Sequence, residues 1–268
     1  MGEHAFDVDT AVAATETPGR YTATVTDRWN VLGGRPNGGY LLGICLRALR
    51  EELPDSHPDP LAVSAFFVRP GAVGDADLRA ETIRVGRRIT TGQVTLSLDG
   101  KETVRVVADF TDLATARGRT QMLASPPKLP APEDCVDPTQ GQSLPGITIA
   151  DRFHYRYPEI PGWAKGQPAG EAAMEFWMRF SDGRPADTLS LPPLVDAAMP
   201  AVADLGEYAT STVELTVYVR RRPAPGWLAC RVATRYLIDG YHEEDFEIWD
   251  TTGTLVAQGR QLAVLPSA

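Results

Sequence analysis

A chain of 268 residues with 43% hydrophobic and 23% charged content can bury one large core or two small ones. Its formal net charge of -9 and pI near 5.0 exclude a protein built to neutralise a nucleic-acid backbone, which needs clustered Lys and Arg. Three cysteines, Cys45, Cys135 and Cys230, widely spaced and odd in number, supply neither a disulfide framework nor a metal knot.

At the N-terminus, Met1 to Asp7 lacks the basic start and apolar run of a signal peptide. No stretch approaches the roughly 18 apolar residues that cross a membrane. A soluble chain in a reducing cytoplasm is expected. Tyr21 to Val25 alternates as a strand does, and the turn-rich Gly33 to Gly39 leads into Tyr40 to Glu52, where Leu41, Ile44, Cys45 and Ala48 recur at helical spacing. Only Arg47, Arg50, Glu51 and Glu52 are polar there, so that helix must be wrapped by other structure. Strand-like runs follow at Leu61 to Arg69, Asp77 to Val85, Gln93 to Leu98 and Glu102 to Phe110, the last two joined across Asp99-Gly100, a strong hairpin signal.

From Ser125 to Asp134 the chain is rich in proline, which lacks the N–H and restricts its neighbour, and polar, glycine-rich sequence continues to about Gly146. Residues 125–150 therefore read as a linker between a first unit, 1–124, and a second, 151–268. In the second unit Ala172 to Phe180 reads as a strand. Leu189 to Leu205 reads as a helix whose first turn tolerates Pro192 and Pro193. Thr210 to Arg220, Trp227 to Leu237, Glu243 to Trp249 and Thr254 to Leu265 supply further strands.

The order of elements thus repeats. Phe67-Val68-Arg69-Pro70 resembles Tyr218-Val219-Arg220-Arg221 at an offset of 151 (220 − 69), and Asp99 and Asp250 of the two hairpins keep that offset. A long buried helix against a curved antiparallel sheet, twice in one chain, is an α+β arrangement of two units side by side.

Pro36-Asn37-Gly38-Gly39-Tyr40, Phe66-Phe67-Val68-Arg69-Pro70-Gly71, Leu194-Val195-Asp196, Thr212-Val213-Glu214-Leu215 and Leu255 to Gln261 together resemble the double-hotdog acyl-CoA thioesterases of the TesB-like, or type II, group. The resemblance spans nearly the whole chain and implies two fused hotdog units. It also implies an acyl-CoA substrate, hydrolysed by a water that a carboxylate, a hydroxyl and an amide hold between them. By motif these are Asp196, Thr212 and Gln261. Ser211 takes the hydroxyl role if the register slips by one, since a slip turns the side chain to the other face, and Gln258 is a second amide nearby.

In that chemistry Asp196 is the general base or the anchor of the water, Thr212 and Gln261 position it, and a backbone N–H at a helix start polarises the thioester carbonyl. No cofactor, metal or covalent intermediate is required. Shifted back by 151, Asp196 and Thr212 fall on Cys45 and Leu61, and by the 153 that separates the hairpin glycines Gly100 and Gly253, Gln261 falls on Ala108. None activates water, and Cys45 among apolar neighbours reads as a small core residue, so one site per chain is expected. Gly38 and Gly39 read either as a close approach for substrate or as an ordinary turn, with Asn37 as a helix cap. Arg220-Arg221-Arg222 reads as a solvated run or a contact for CoA phosphates.

A hydratase on the same fold would want a catalytic His beside its acid, and none of His4, His57, His154 and His242 lies on a predicted hotdog helix. The alternative from another class is a non-catalytic acyl-CoA or acyl-chain binding protein. Two hotdog units form the minimal pair, so both a monomer and a homo-oligomer joined at exposed sheet edges are compatible with the sequence.

Overall fold

The computed structural model describes residues 4–266, so Met1 to Glu3 of the N-terminal reading lie outside the described residues. A short helix α1 (Ala5–Asp9) is followed by β1 (Arg20–Val25), the long helix α2 (Gly38–Glu52), β2 (Asp59–Phe67), β3 (Gly74–Val85), β4 (Thr90–Leu98) and β5 (Lys101–Thr111). Asn37 starts α2 by accepting the Tyr40 N–H at 2.9 Å on its side-chain oxygen. Leu53, extended and followed by Pro54, ends it, because a residue before proline avoids helical angles. Between these ends Leu42, Ile44, Cys45, Leu46, Ala48 and Leu49 are fully buried, as an almost wholly apolar helix requires. Asp99 and Gly100 both take positive φ, which closes the β4–β5 hairpin with a two-residue turn.

The second unit repeats the plan with β6 (Phe153–Arg156), β7 (Ala173–Phe180), α3 (Leu191–Val195), β8 (Ser211–Val219), β9 (Leu228–Ala233), β10 (Tyr241–Trp249) and β11 (Leu255–Val264). Strand β8 stands 152 residues after β2 at both ends (211 − 59, 219 − 67), and β10 starts 151 after β4 (241 − 90). Among the described residues the two units share one sheet of 13 strands. Its order is Ala13–Ala14, β1, β3, β4, β5, β2, β8, β11, β10, β9, β7, β6, with Leu237–Ile238 paired to β10. The seam is antiparallel, with Ala65 opposite Leu215 and Val63 opposite Val217. Each unit thereby closes one sheet edge on the other.

The expected single helix over Leu189 to Leu205 is corrected. Only Leu191–Val195 is α-helical, and after a break Ala201–Leu205 forms a 3-10 turn. Pro200 bars a continuous helix: it has no N–H for the carbonyl of Asp196, and helical angles are disfavoured for Met199, the residue before it. The helix tightens before it stops, with the N–H groups of Asp196 and Ala197 bonding back three residues to Pro193 and Leu194. The strand expected over Trp227 to Leu237 is likewise split, into β9 and the short Leu237–Ile238.

Part of 125–150 packs against the rest of the chain: Trp177 Nε1 donates to Pro130 O at 2.9 Å, Val136 bridges Tyr157, and Ile149 is buried. Among the described residues no helix is long and apolar enough to cross a membrane. Helix α1 spans both units, since its Asp7 carboxylate is bonded by Arg47 of the first and by Arg184 of the second.

Candidate active site

Because α3 stops at Val195, Asp196 sits at its C-terminal cap with a backbone carbonyl that no helical N–H claims. Asn37 claims it. Its Nδ2 donates to Asp196 O at 2.8 Å and to Asp196 Oδ2 at 3.0 Å, and Gly39 N donates to the same Oδ2 at 2.6 Å. The capping side chain of α2 and one N–H of its first turn therefore grip the residue that ends α3. Two glycines allow this approach: a Cβ on Gly39 would lie 2.5 Å from Pro193 O, and one on Gly38 would lie 2.9 Å from Asp196 Oδ2. Among the described residues no hydrogen bond reaches Asp196 Oδ1, and the Gly38 N–H has no acceptor. Burial raises the Asp196 carboxyl to about 6, although the Gly39 N–H and Asn37 favour its ionised form.

A second group of polar side chains lies on the strands beneath. Thr212 Oγ1 donates to Gln261 Oε1 at 2.9 Å. Gln261 Nε2 donates to Glu244 Oε1 at 2.9 Å, and Glu244 Oε2 accepts the Ala201 N–H at 2.6 Å. Gln261 and Glu244 are both buried, on neighbouring strands in direct register. A bulge between Thr212 and Glu214 leaves Val213 as the extra residue, and Ser211 stays exposed. Thr212, not Ser211, thus carries the hydroxyl that meets Gln261. Helix α3 lies directly on β11, since a Cβ on Gly259 would lie 2.3 Å from Val195 Cγ1. Asp196 is close enough that its charge joins burial in raising the Glu244 carboxyl, to about 7.

Comparison with known proteins bears on this arrangement. The acyl-CoA thioesterase N-terminal domain matches residues 25–111, and the acyl-CoA thioesterase C-terminal domain matches residues 132–265. The chain belongs to the acyl-CoA thioesterase family. An uncharacterized protein of Mycobacterium tuberculosis is 24% identical, over 92% of this chain and 91% of its own length. A solved protein of Thermobifida fusca YX, described as a candidate thioesterase II, is 28% identical with a TM-score of 0.87, over 100% of this chain and 99% of that one. Acyl-CoA thioesterase II TesB2 from Mycobacterium marinum superposes with a TM-score of 0.76 at 17% identity, over 98% and 99% of the two chains. A hot dog fold protein from Alicyclobacillus acidocaldarius does so at 0.87 and 23%, over 100% of both. At these last two identities the likeness is one of fold, and the fold is the double hotdog.

Among the described residues, the first-unit positions that correspond to Asp196, Thr212 and Gln261 in this thioesterase-family chain carry no comparable polar groups. Cys45 is fully buried on α2, where burial raises its thiol far above the range of a nucleophile. Ala108 is buried and apolar, and the 152-residue offset sets Pro60, beside Leu61, in the place of Thr212. Of the arginine run, Arg222 is committed to Asp59, its Nη2 donating to Oδ2 at 2.8 Å, while Arg220 and Arg221 are exposed.

Glu244 was missed by sequence reasoning, although a signal was present. Strand β10 alternates, and counting by two from Ile248 through Phe246 puts Glu244 and His242 on its inward face. An acid on the apolar side of a strand is the informative exception.

Proposed function

We propose that the protein hydrolyses acyl-CoA thioesters to the free acid and CoA by direct attack of water. The observation that carries this is the Asp196 carboxyl, raised to about 6, gripped through Oδ2 and open at Oδ1, whose charge reaches Glu244, the partner of the Thr212–Gln261 hydroxyl–amide pair. A base with that affinity is ionised at neutral pH and still able to take a proton. One water, donating to Asp196 and to Thr212, turns a lone pair to the thioester carbon. Its oxygen bonds to that carbon as its proton passes to Asp196. The C–S bond then breaks, and the proton returns to the departing thiolate.

The free Gly38 N–H at the positive end of α2 suits the carbonyl oxygen, where negative charge gathers before C–S cleavage. Asn37 and Gly39 then act on substrate through Asp196, which they hold.

Incubation with acyl-CoAs of graded chain length, following free thiol and free acid together, tests this reading. Equimolar release with no acylated protein in the quenched reaction supports it. Binding without release would make the chain a carrier on a thioesterase fold.

A further inference from the structure

Gln261 has two chemically different ends, and its neighbours assign them. An ionised carboxylate only accepts, so Glu244 takes the NH₂ end, with Nε2 donating to Oε1 at 2.9 Å. The carbonyl end is thereby turned to Thr212, whose single hydroxyl proton goes to Gln261 Oε1 at 2.9 Å. Thr212 keeps its lone pairs and has no proton left to give. The second oxygen of Glu244 is fixed by the Ala201 N–H at 2.6 Å, on the 3-10 turn that follows the break after Asp196. From Thr212 through Gln261 every donor thus points toward Glu244, which accepts from that side and from the Ala201 N–H on the other.

We infer that Glu244 is a positioning residue for the hydrolysis proposed above, setting which end of Gln261 meets Thr212 and so making the Thr212 hydroxyl an acceptor toward the attacking water. The inference rests on the thioesterase reading of the site. Its consequence is geometric. A water that donates one O–H to Thr212 and the other to Asp196 Oδ1 has its lone pairs free for the carbonyl carbon. With Glu244 protonated, its O–H donates to the Gln261 carbonyl, the amide turns over, and Thr212 accepts a hydrogen bond from Nε2. Thr212 then donates to the water and occupies the lone pair that attack needs.

The titratable groups around Glu244 are Asp196 from the end of α3 and His242 and Glu243 from β10 itself, while Asp204 on the 3-10 turn is directed away, to the N–H groups of Trp163 and Ala169. Burial, assisted by the Asp196 charge, holds Glu244 at about 7, so both directions are accessible near neutrality.

The test uses two variants of the full chain, Glu244→Gln and the exchange Glu244→Gln/Gln261→Glu. In the single variant the amide at 244 still accepts the Ala201 N–H, so its NH₂ group donates to the Gln261 carbonyl, turns Gln261 over and makes Thr212 a donor. Its kcat is expected to fall roughly 10- to 100-fold with KM little changed, the signature of a displaced reacting group. In the exchange variant the amide at 244 accepts the Ala201 N–H and donates to the carboxylate at 261, which accepts from Thr212. The direction at Thr212 is restored, and with it kcat to within about tenfold of wild type. The exchange also controls for folding, since every bond of the chain is remade. Equal kcat and equal pH profiles for wild type and Glu244→Gln would overturn the role of Glu244 alone. So would a folded exchange variant no more active than the single one. A wild-type chain that releases no CoA would overturn the thioesterase reading and this role with it.

Discussion

The carboxylate of Asp196 and the N–H of Gly39, 157 residues apart in the chain, meet at 2.6 Å. This bond ties the helix of one unit to the broken helix of the other. Gly39 lacks a side chain because Pro193 O would lie 2.5 Å from its Cβ. Gly39→Ala is therefore expected to lower stability by about 1–3 kcal/mol through overpacking, and to lower activity by displacing Asp196. Chemical denaturation alongside kinetics checks both; a variant as active and stable as wild type would show that the contact is slack.

Activity should follow the ionisation of Asp196. Its carboxyl is raised to about 6 in the folded chain, so kcat/KM should rise with pH through that value and be lost below it. Because Glu244, at about 7, feels the same charge, the pair titrates in coupled steps and the rise is broader than for one group. A pH–rate profile measures it, and a flat profile between pH 5 and about 8 would contradict it.

Stability should move the opposite way. The folded state holds the Asp196 proton more tightly than the unfolded state, whose carboxyl lies near 3.8. Stability attributable to this group is thus fully present below about 3.8 and is lost as pH rises through about 6. Asp196→Asn removes that loss while its side-chain oxygen still accepts from Gly39 and Asn37. The variant should therefore gain on wild type in thermal midpoint from pH 4 to about 7. A constant difference across that range would exclude the linkage.

Thr212→Val should reduce kcat on the order of 10- to 100-fold, since its hydroxyl meets Gln261, whereas Ser211→Ala should have little effect. Steady-state kinetics on the two variants separates the adjacent hydroxyls.

Arg222→Ala should destabilise by about 1–3 kcal/mol, because it removes a charged donor from Asp59, which is 3% exposed. Asp59 also accepts from Thr188 Oγ1 at 2.8 Å, so the cluster joins the two units. KM for acyl-CoA should be unchanged; a clear rise would assign Arg222 to CoA phosphates instead.

Much of the fold was legible because it rests on local pattern: the alternation of the strands, the near-uniform apolarity of α2 and the Asp99-Gly100 turn. The break after Asp196 was legible too, in Pro200, but helical periodicity on either side masked it. What residue spacing could not supply was pairing across the chain. That Asn37 caps one helix and grips the end of another follows from tertiary approach alone. Glu244 lay between these cases: its inward position follows from alternation, while its partnership with Gln261 needed the register of β10 on β11.

The most direct measurement is the rate of CoA release from acyl-CoA by wild type and by Asp196→Asn at pH about 8, where Asp196 is ionised. The account predicts turnover by wild type and a loss on the order of 10²- to 10⁴-fold in a variant that remains folded. Equal rates in the two proteins would contradict it.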